Sequence, residues 1–285
     1  MAKLVEIIGI THNPFLPRLI KAPNPDPVIV KTAKDYDWMR QKMAQARPDV
    51  LIVVASDHLN QWFMDNMPAF LVGKAPSTEG PAPVEIRAFG LAPYRAKIDT
   101  DMAKGIIREG SRLGVDFAFS DECFIDHAFT VPLNFVRPEM DLPIVPIWTN
   151  VMAQPLPTSQ RFYDVGQRIR EAVEALPDGT RVGVLSSGHL AVEIGGPKTS
   201  DYSSDTEFDR RMMELISAGD AQTVIQEATY QRLVKAGNVT PGFLNYILLM
   251  GIAGGTKPTA TGLDFPEVTA AMHYMDWEID GGGAA

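Results

Sequence analysis

The sequence predicts an α/β fold: a single-domain α/β sandwich over residues 1–280, with a central mostly parallel sheet flanked by helices and a helical C-terminal portion. Three observations carry that prediction. Short, almost unbroken apolar runs rich in β-branched residues recur along the chain, as strands buried on both faces require. Segments of helical period alternate with them, the signature of layered α/β domains. The length of 285 residues, 45% apolar and 21% charged, is enough for one large core and excludes disordered or collagen-like architectures.

In chain order, strands are expected at Leu4–Ile10, Val50–Ala55, Leu142–Trp148 and Val182–Ser186. Thr32–Gln45, Asp99–Leu113 and Ser159–Ala175 carry apolar residues at three- and four-residue spacing and read as helices. After the last strand the pattern turns mostly helical. Asp205–Ala218 starts with acidic residues suited to a helix N-terminus, and Ala221–Ala236 and Gly242–Ala253 follow. Ala22–Val28 and Gly73–Pro93 are dense in proline and glycine and read as loops over a pocket. Val268–Trp277 looks helical, and the tail at 281–285 is expected to be disordered.

The formal charge of −9, from 26 basic and 35 acidic residues, argues against nucleic acid or an anionic membrane as partner and leaves a small molecule open. No apolar run reaches the roughly 20 residues needed to span a bilayer. The start at Met1 shows no secretory pattern. The single cysteine, Cys123, excludes a disulfide framework and a thiolate metal cluster, so a reducing, cytoplasmic setting is expected. Cys123 itself reads as a buried structural thiol.

Any metal must therefore be held by His and carboxylate, and there are five histidines. His12, His58 and His189 each follow a predicted strand closely. In an open α/β sheet the carboxyl ends of the strands form the ligand crevice. Each alone could be an ordinary loop residue; three in equivalent places point to one pocket. His127 lies in an apparent loop, and His273 reads as a bystander. Two imidazoles and a carboxylate make the facial site of non-haem Fe(II) oxygenases, and a further imidazole could move protons. Ser186-Ser187-Gly188-His189 lacks the Gly-x-Ser-x-Gly elbow of a serine nucleophile.

The motifs Thr11-His12-Asn13-Pro14, Ser56-Asp57-His58-Leu59-Asn60, Asp126-His127-Ala128-Phe129-Thr130-Val131-Pro132 and Ser187-Gly188-His189, followed by Asp205-Thr206-Glu207-Phe208-Asp209-Arg210, run in order over roughly residues 1–255. Together they resemble the class III extradiol ring-cleavage dioxygenases, with the protocatechuate 4,5-dioxygenase β subunit as nearest type. The resemblance implies Fe(II) bound by His12 and His58, His189 as catalytic acid/base, and His127 as a catalytic, substrate-contacting residue. It implies a small hydroxylated aromatic substrate of catechol, protocatechuate or gallate type, and an oligomer, either of one chain or with a small partner subunit.

The family's third iron ligand is a glutamate in a pattern like Gly-(x)4-Glu-(x)3-Trp-(x)4-Gly. Here the stretch from Gly237 to Gly251 keeps both glycines, with Tyr246 in the Trp place and Gly242 in the Glu place. No acidic residue lies between Lys235 and Gly255. Glu193, a water or a carboxylate of the substrate could fill the gap. Two further readings stand beside the oxygenase. One is a metal-independent or differently metallated hydrolase, decarboxylase or lyase acting on a phenolic through His189 and His127; the other is a non-catalytic subunit of a hetero-oligomeric dioxygenase. Specificity is expected to lie in Gly73–Pro93 and around Ser200–Ser204.

Overall fold

The computed structural model describes residues 1–176, 179–199 and 204–279. Ten strands and ten α-helices are named among them: β1 (Lys3–Thr11), α1 (Leu16–Ile20), α2 (Pro27–Ala46), β2 (Val50–Ser56), β3 (Phe70–Gly73), β4 (Ser77–Gly80), α3 (Pro83–Phe89), β5 (Tyr94–Lys97), α4 (Thr100–Arg112), β6 (Ala118–Ser120), α5 (His127–Val136), β7 (Ile144–Thr149), α6 (Ser159–Glu174), β8 (Arg181–Gly188), α7 (Thr206–Ala218), α8 (Ala221–Glu227), α9 (Tyr230–Ala236), α10 (Leu244–Ile252), β9 (Ala260–Asp264) and β10 (Met272–Glu278).

An eight-stranded sheet in the order β6-β3-β7-β2-β8-β1-β10-β9 forms the middle layer. Its centre, β7-β2-β8-β1, is parallel throughout, while β3 and β10 join it antiparallel. The near-continuous apolar runs are explained by burial on both faces. Val50, Ile52 and Val54 of β2 point into the cluster shared with α4, α6 and α10, and Leu51, Val53 and Ala55 point into the one shared with α2 and α5. Where α6 crosses α10 the backbones nearly touch: a Cβ on Gly166 would run into the Leu248 carbonyl oxygen, and one on Gly251 into that of Tyr163.

All four predicted strands and the helices near 32–45, 99–113, 159–175 and 205–218 are present. Four expectations need correction. Gly73–Pro93 is not loop alone but contains β4 and α3, which at four and seven residues are too short to show a clear period. Ala221–Ala236 is broken into α8 and α9, because Thr229 caps a new start by accepting from the Arg232 N–H. The segment around His127 is a helix, α5, capped by Asp126. Val268–Trp277 is not helical; its end is β10, which adds to β1 with Ile8 opposite Asp276. The helical C-terminal portion thus ends at Ile252 and is followed by a β-hairpin. The tail at 281–285 and most of the Ser200–Ser204 loop lie outside the described residues. Among the described residues no helix is long and apolar enough to cross a membrane.

Candidate active site

The parallel order β2-β8-β1 brings three strand ends side by side, with Thr11 in register with Gly188. His12, His58 and His189 each leave the sheet within two residues of such an end. The ring centroids of His12 and His189 lie 4.0 Å apart, and those of His12 and His58 5.1 Å. His127, at the first turn of α5, stacks on His58 at 4.3 Å. All four motif histidines therefore meet in one place. His273 does not: it is buried in β10, where its Nε2 lies 2.6 Å from the Tyr246 hydroxyl.

The loop carrying His58 is held by buried acid. Asp57 accepts the backbone N–H groups of Asn60, Gln61 and Trp62 at 3.0–3.1 Å, and this curl places Leu59 in the left-handed region at φ 60°. Strained backbone of this kind survives only where its surroundings over-determine it.

Hydrogen bonds fix the rings' tautomers. Ser187 Oγ donates to the Ala128 carbonyl at 2.7 Å, so toward His12 Nδ1, 3.0 Å away, it can only accept. His12 Nδ1 thus carries the proton and Nε2 presents a lone pair, which is buried and has no hydrogen-bond partner. Ser187 is a positioner rather than a nucleophile. Asp126 accepts from the backbone N–H of His58 at 2.8 Å and from its Nδ1 at 2.9 Å, leaving His58 Nε2 to face the cluster. A carboxylate behind an imidazole is the usual way a ligating histidine is oriented. Glu85 of α3 grips His127 Nδ1 at 2.5 Å, both groups being buried.

Burial pushes His12 and His189 well below the usual imidazole range, and the neighbouring imidazoles add to it. Burial alone would lower His58 too, but the Asp126 carboxylate outweighs it and its pKa is raised. Asp126, which burial would raise, is in turn lowered by His58.

His12 is buried beside His58, His127 and His189, which line a cavity of about 1140 Å³. Its wall carries Phe15 and Phe89, edge to face at 5.3 Å, and Arg18. The size exceeds the usual small-molecule site, and an aromatic wall with a few polar groups is typical of one. Asn13 ties this wall to the β9–β10 loop through a 2.7 Å bond to Thr269.

Among the described residues two sets of side chains could hold a metal, each with ligand atoms within 4.8 Å of one another: His12, His58 and His189; and His58, Asp126 and His127. The orphaned lone pair of His12 and the oriented one of His58 fit a divalent ion. Glu193 lines the cavity, but its Oε1 accepts the Lys198 N–H at 3.1 Å, and it joins neither set. Gly242 sits beside His189, as the motif spacing implied, and offers no ligand. Sequence reasoning missed Glu85, Asp126 and Ser187 as partners of the rings. For Asp126 and Ser187 their adjacency to histidine motifs was a usable signal; for Glu85, 42 residues from His127, there was none.

A family model for the catalytic LigB subunit of aromatic ring-opening dioxygenase matches residues 6–274. A 2,3-dihydroxyphenylpropionate/2,3-dihydroxicinnamic acid 1,2-dioxygenase of a Rhodococcus species is 27% identical over 234 residues, 82% of this chain and 69% of that protein. The enzyme of the same name from Escherichia coli O139:H28 is 29% identical over 198 residues, 69% of this chain and 59% of its own length. Among solved structures, an uncharacterized protein of Escherichia coli K12 shares the fold at TM-score 0.65 and 13% identity, covering 96% of this chain and 99% of that one.

Proposed function

Because the chain belongs to the family of the catalytic LigB subunit of aromatic ring-opening dioxygenase, we propose that it opens the ring of a small hydroxylated aromatic with O2, at an Fe(II) bound through His12 and His58. One observation carries the reading: a buried, unpartnered His12 Nε2 beside the Asp126-oriented His58, at the edge of a cavity walled by Phe15 and Phe89. Leaving that lone pair unused would cost about 1–3 kcal/mol, and a bound cation removes the penalty.

An Fe(II) ion bound there would supply chelation of two neighbouring hydroxyls and the electron transfer to O2. The chain's own groups do the rest. Ser187 and Asp126 engage Nδ1 of His12 and of His58, which leaves Nε2 of each ring for the ion. Glu85 keeps the proton of His127 on Nδ1, so Nε2 is left to take a proton from a substrate hydroxyl and return it later. Phe15 and Phe89 offer faces and edges to an aromatic ring and keep water from it.

The test is O2 uptake, with formation of a ring-opened product, on a panel of catechols, protocatechuates and gallates. Activity is expected to vanish on chelation and return with Fe(II). Turnover of a phenolic that survives chelation would instead favour acid/base chemistry through His127 and His189. No O2 uptake by the Fe(II)-loaded protein across the panel would refute the proposal.

A further inference from the structure

We infer that His189 is a metal ligand, occupying the coordination position that Gly242 leaves without a carboxylate, so that the ion is held by three imidazoles. The inference rests on the reading that His12 and His58 bind a metal, and it assigns His189 a role other than the acid/base one that motif resemblance implies.

The first argument is position. A Cβ built on Gly242 would lie 3.5 Å from His189 Cδ2 and 3.4 Å from its backbone nitrogen. Both distances are ordinary van der Waals contact, so a side chain leaving residue 242 would start beside the His189 ring and the two positions are neighbours at the site. The second is convergence. His189 is the ring nearest His12, with centroids 4.0 Å apart, and its ligand atom lies within 4.8 Å of those of both His12 and His58.

The third argument is elimination among the alternatives. Asp126, in the competing set, is already engaged on both oxygens: Oδ1 caps α5 through the Ala128 N–H at 2.8 Å, and Oδ2 takes both donors of His58. His127 has its Nδ1 committed to Glu85 and stacks face to face on His58, whereas His12 meets His58 and His189 edge on. Among the described residues His189 has no carboxylate partner, and its ring meets His12 edge on rather than stacked.

Chemically the exchange matters. With one carboxylate ligand a divalent ion keeps a net charge of one; with three neutral imidazoles it keeps both charges, which favours an anionic substrate. Imidazole ligands also suit zinc, copper, iron and nickel better than magnesium, calcium or manganese.

The experiment uses the full chain, stripped of metal and titrated anaerobically with Co(II), and pulsed EPR of the Cu(II)-loaded protein to count coordinated imidazoles. His189→Ala is expected to weaken Co(II) binding by at least about 10–100-fold, since loss of a group that merely orients a ligand costs that much. His127→Ala should change it by less than about tenfold. The double variant His189→Ala/Gly242→Glu should recover most of the lost affinity, because both side chains address one position. Copper should see three imidazoles in the wild type and two in His189→Ala. His189→Phe, which keeps a ring in place, is measured alongside so that a collapsed site is not mistaken for a lost ligand. Undiminished Co(II) affinity with two imidazoles in the wild type would overturn the inference while leaving the His12–His58 site intact. A wild-type protein that binds no Co(II) would overturn both.

Discussion

Replacing Asp126 by alanine should damage stability and metal binding together, and the structure separates the two. Oδ1 is the cap of α5, and losing such a cap costs about 1 kcal/mol. Oδ2 accepts two His58 donors, whose loss leaves groups partly or wholly shielded from water without a partner, at about 1–3 kcal/mol for a buried one. The sum is about 2–4 kcal/mol. At about 2–4 °C per kcal/mol for a chain somewhat smaller than this one, the melting temperature should fall by roughly 5–15 °C. Freed of Asp126, the His58 ring can rotate and shift its proton, so Co(II) or Fe(II) affinity should drop about 10–100-fold. Asp126→Asn keeps an oxygen for the cap, and so should recover about 1 kcal/mol of the stability but little of the metal affinity. Thermal melts and anaerobic metal titrations of the two variants read both quantities. If Asp126→Asn bound metal as tightly as the wild type, the carboxylate would not be what orients His58, and the account of the site would fail at that point.

Gly166→Ala puts a methyl group against the Leu248 carbonyl, with Gly251 Cα and Ile252 N each 3.0 Å away. Helices α6 and α10 would have to separate, at about 1–3 kcal/mol or more; a melting temperature unchanged from the wild type would refute that close approach. A buried carboxylate pair sets a pH dependence away from the active site. Burial and the neighbouring Asp276 push Glu6 up to about 9, and Asp276 is itself raised, with Lys42 pulling the other way and Glu278 adding to the push. Below the unfolded value near 4.5 both folded and unfolded chains hold the Glu6 proton, and its contribution is complete. Between there and about 9 the unfolded chain sheds a proton that the folded one keeps, so stability should fall as pH rises, by at most about 1.4 kcal/mol per pH unit. Denaturant melts from pH 5 to 9 should show that decline, and Glu6→Gln should flatten it; an equal slope in the variant would show that the pair is not its source.

Much of the layered architecture was legible because it rests on local patterns. The apolar runs of β1, β2, β7 and β8 are continuous because each strand is covered on both faces, and helices α4, α6 and α7 announce themselves by period, with the capping acids Asp99 and Asp205 opening α4 and α7. Segments whose structure depends on a distant neighbour were not legible. β10 pairs with β1 across more than 250 residues, and α3 consists of a few residues whose one buried side chain, Glu85, is held by a histidine 42 positions on.

By itself, the sequence determined that His12, His58 and His189 stand at strand ends, that Asp126 precedes His127, and that residue 242 is glycine. Those are facts of position along the chain, and parallel strands turn such positions into a common rim. Only the tertiary structure decided which atoms face one another there: that Ser187 leaves His12 Nε2 without a proton, that Asp126 and Glu85 each claim one histidine, and that the His189 ring lies against Gly242. Hydrogen bonds and ring orientations depend on angstrom-scale distances between residues far apart in sequence, and these exist only once the sheet order β2-β8-β1 has set three loops side by side.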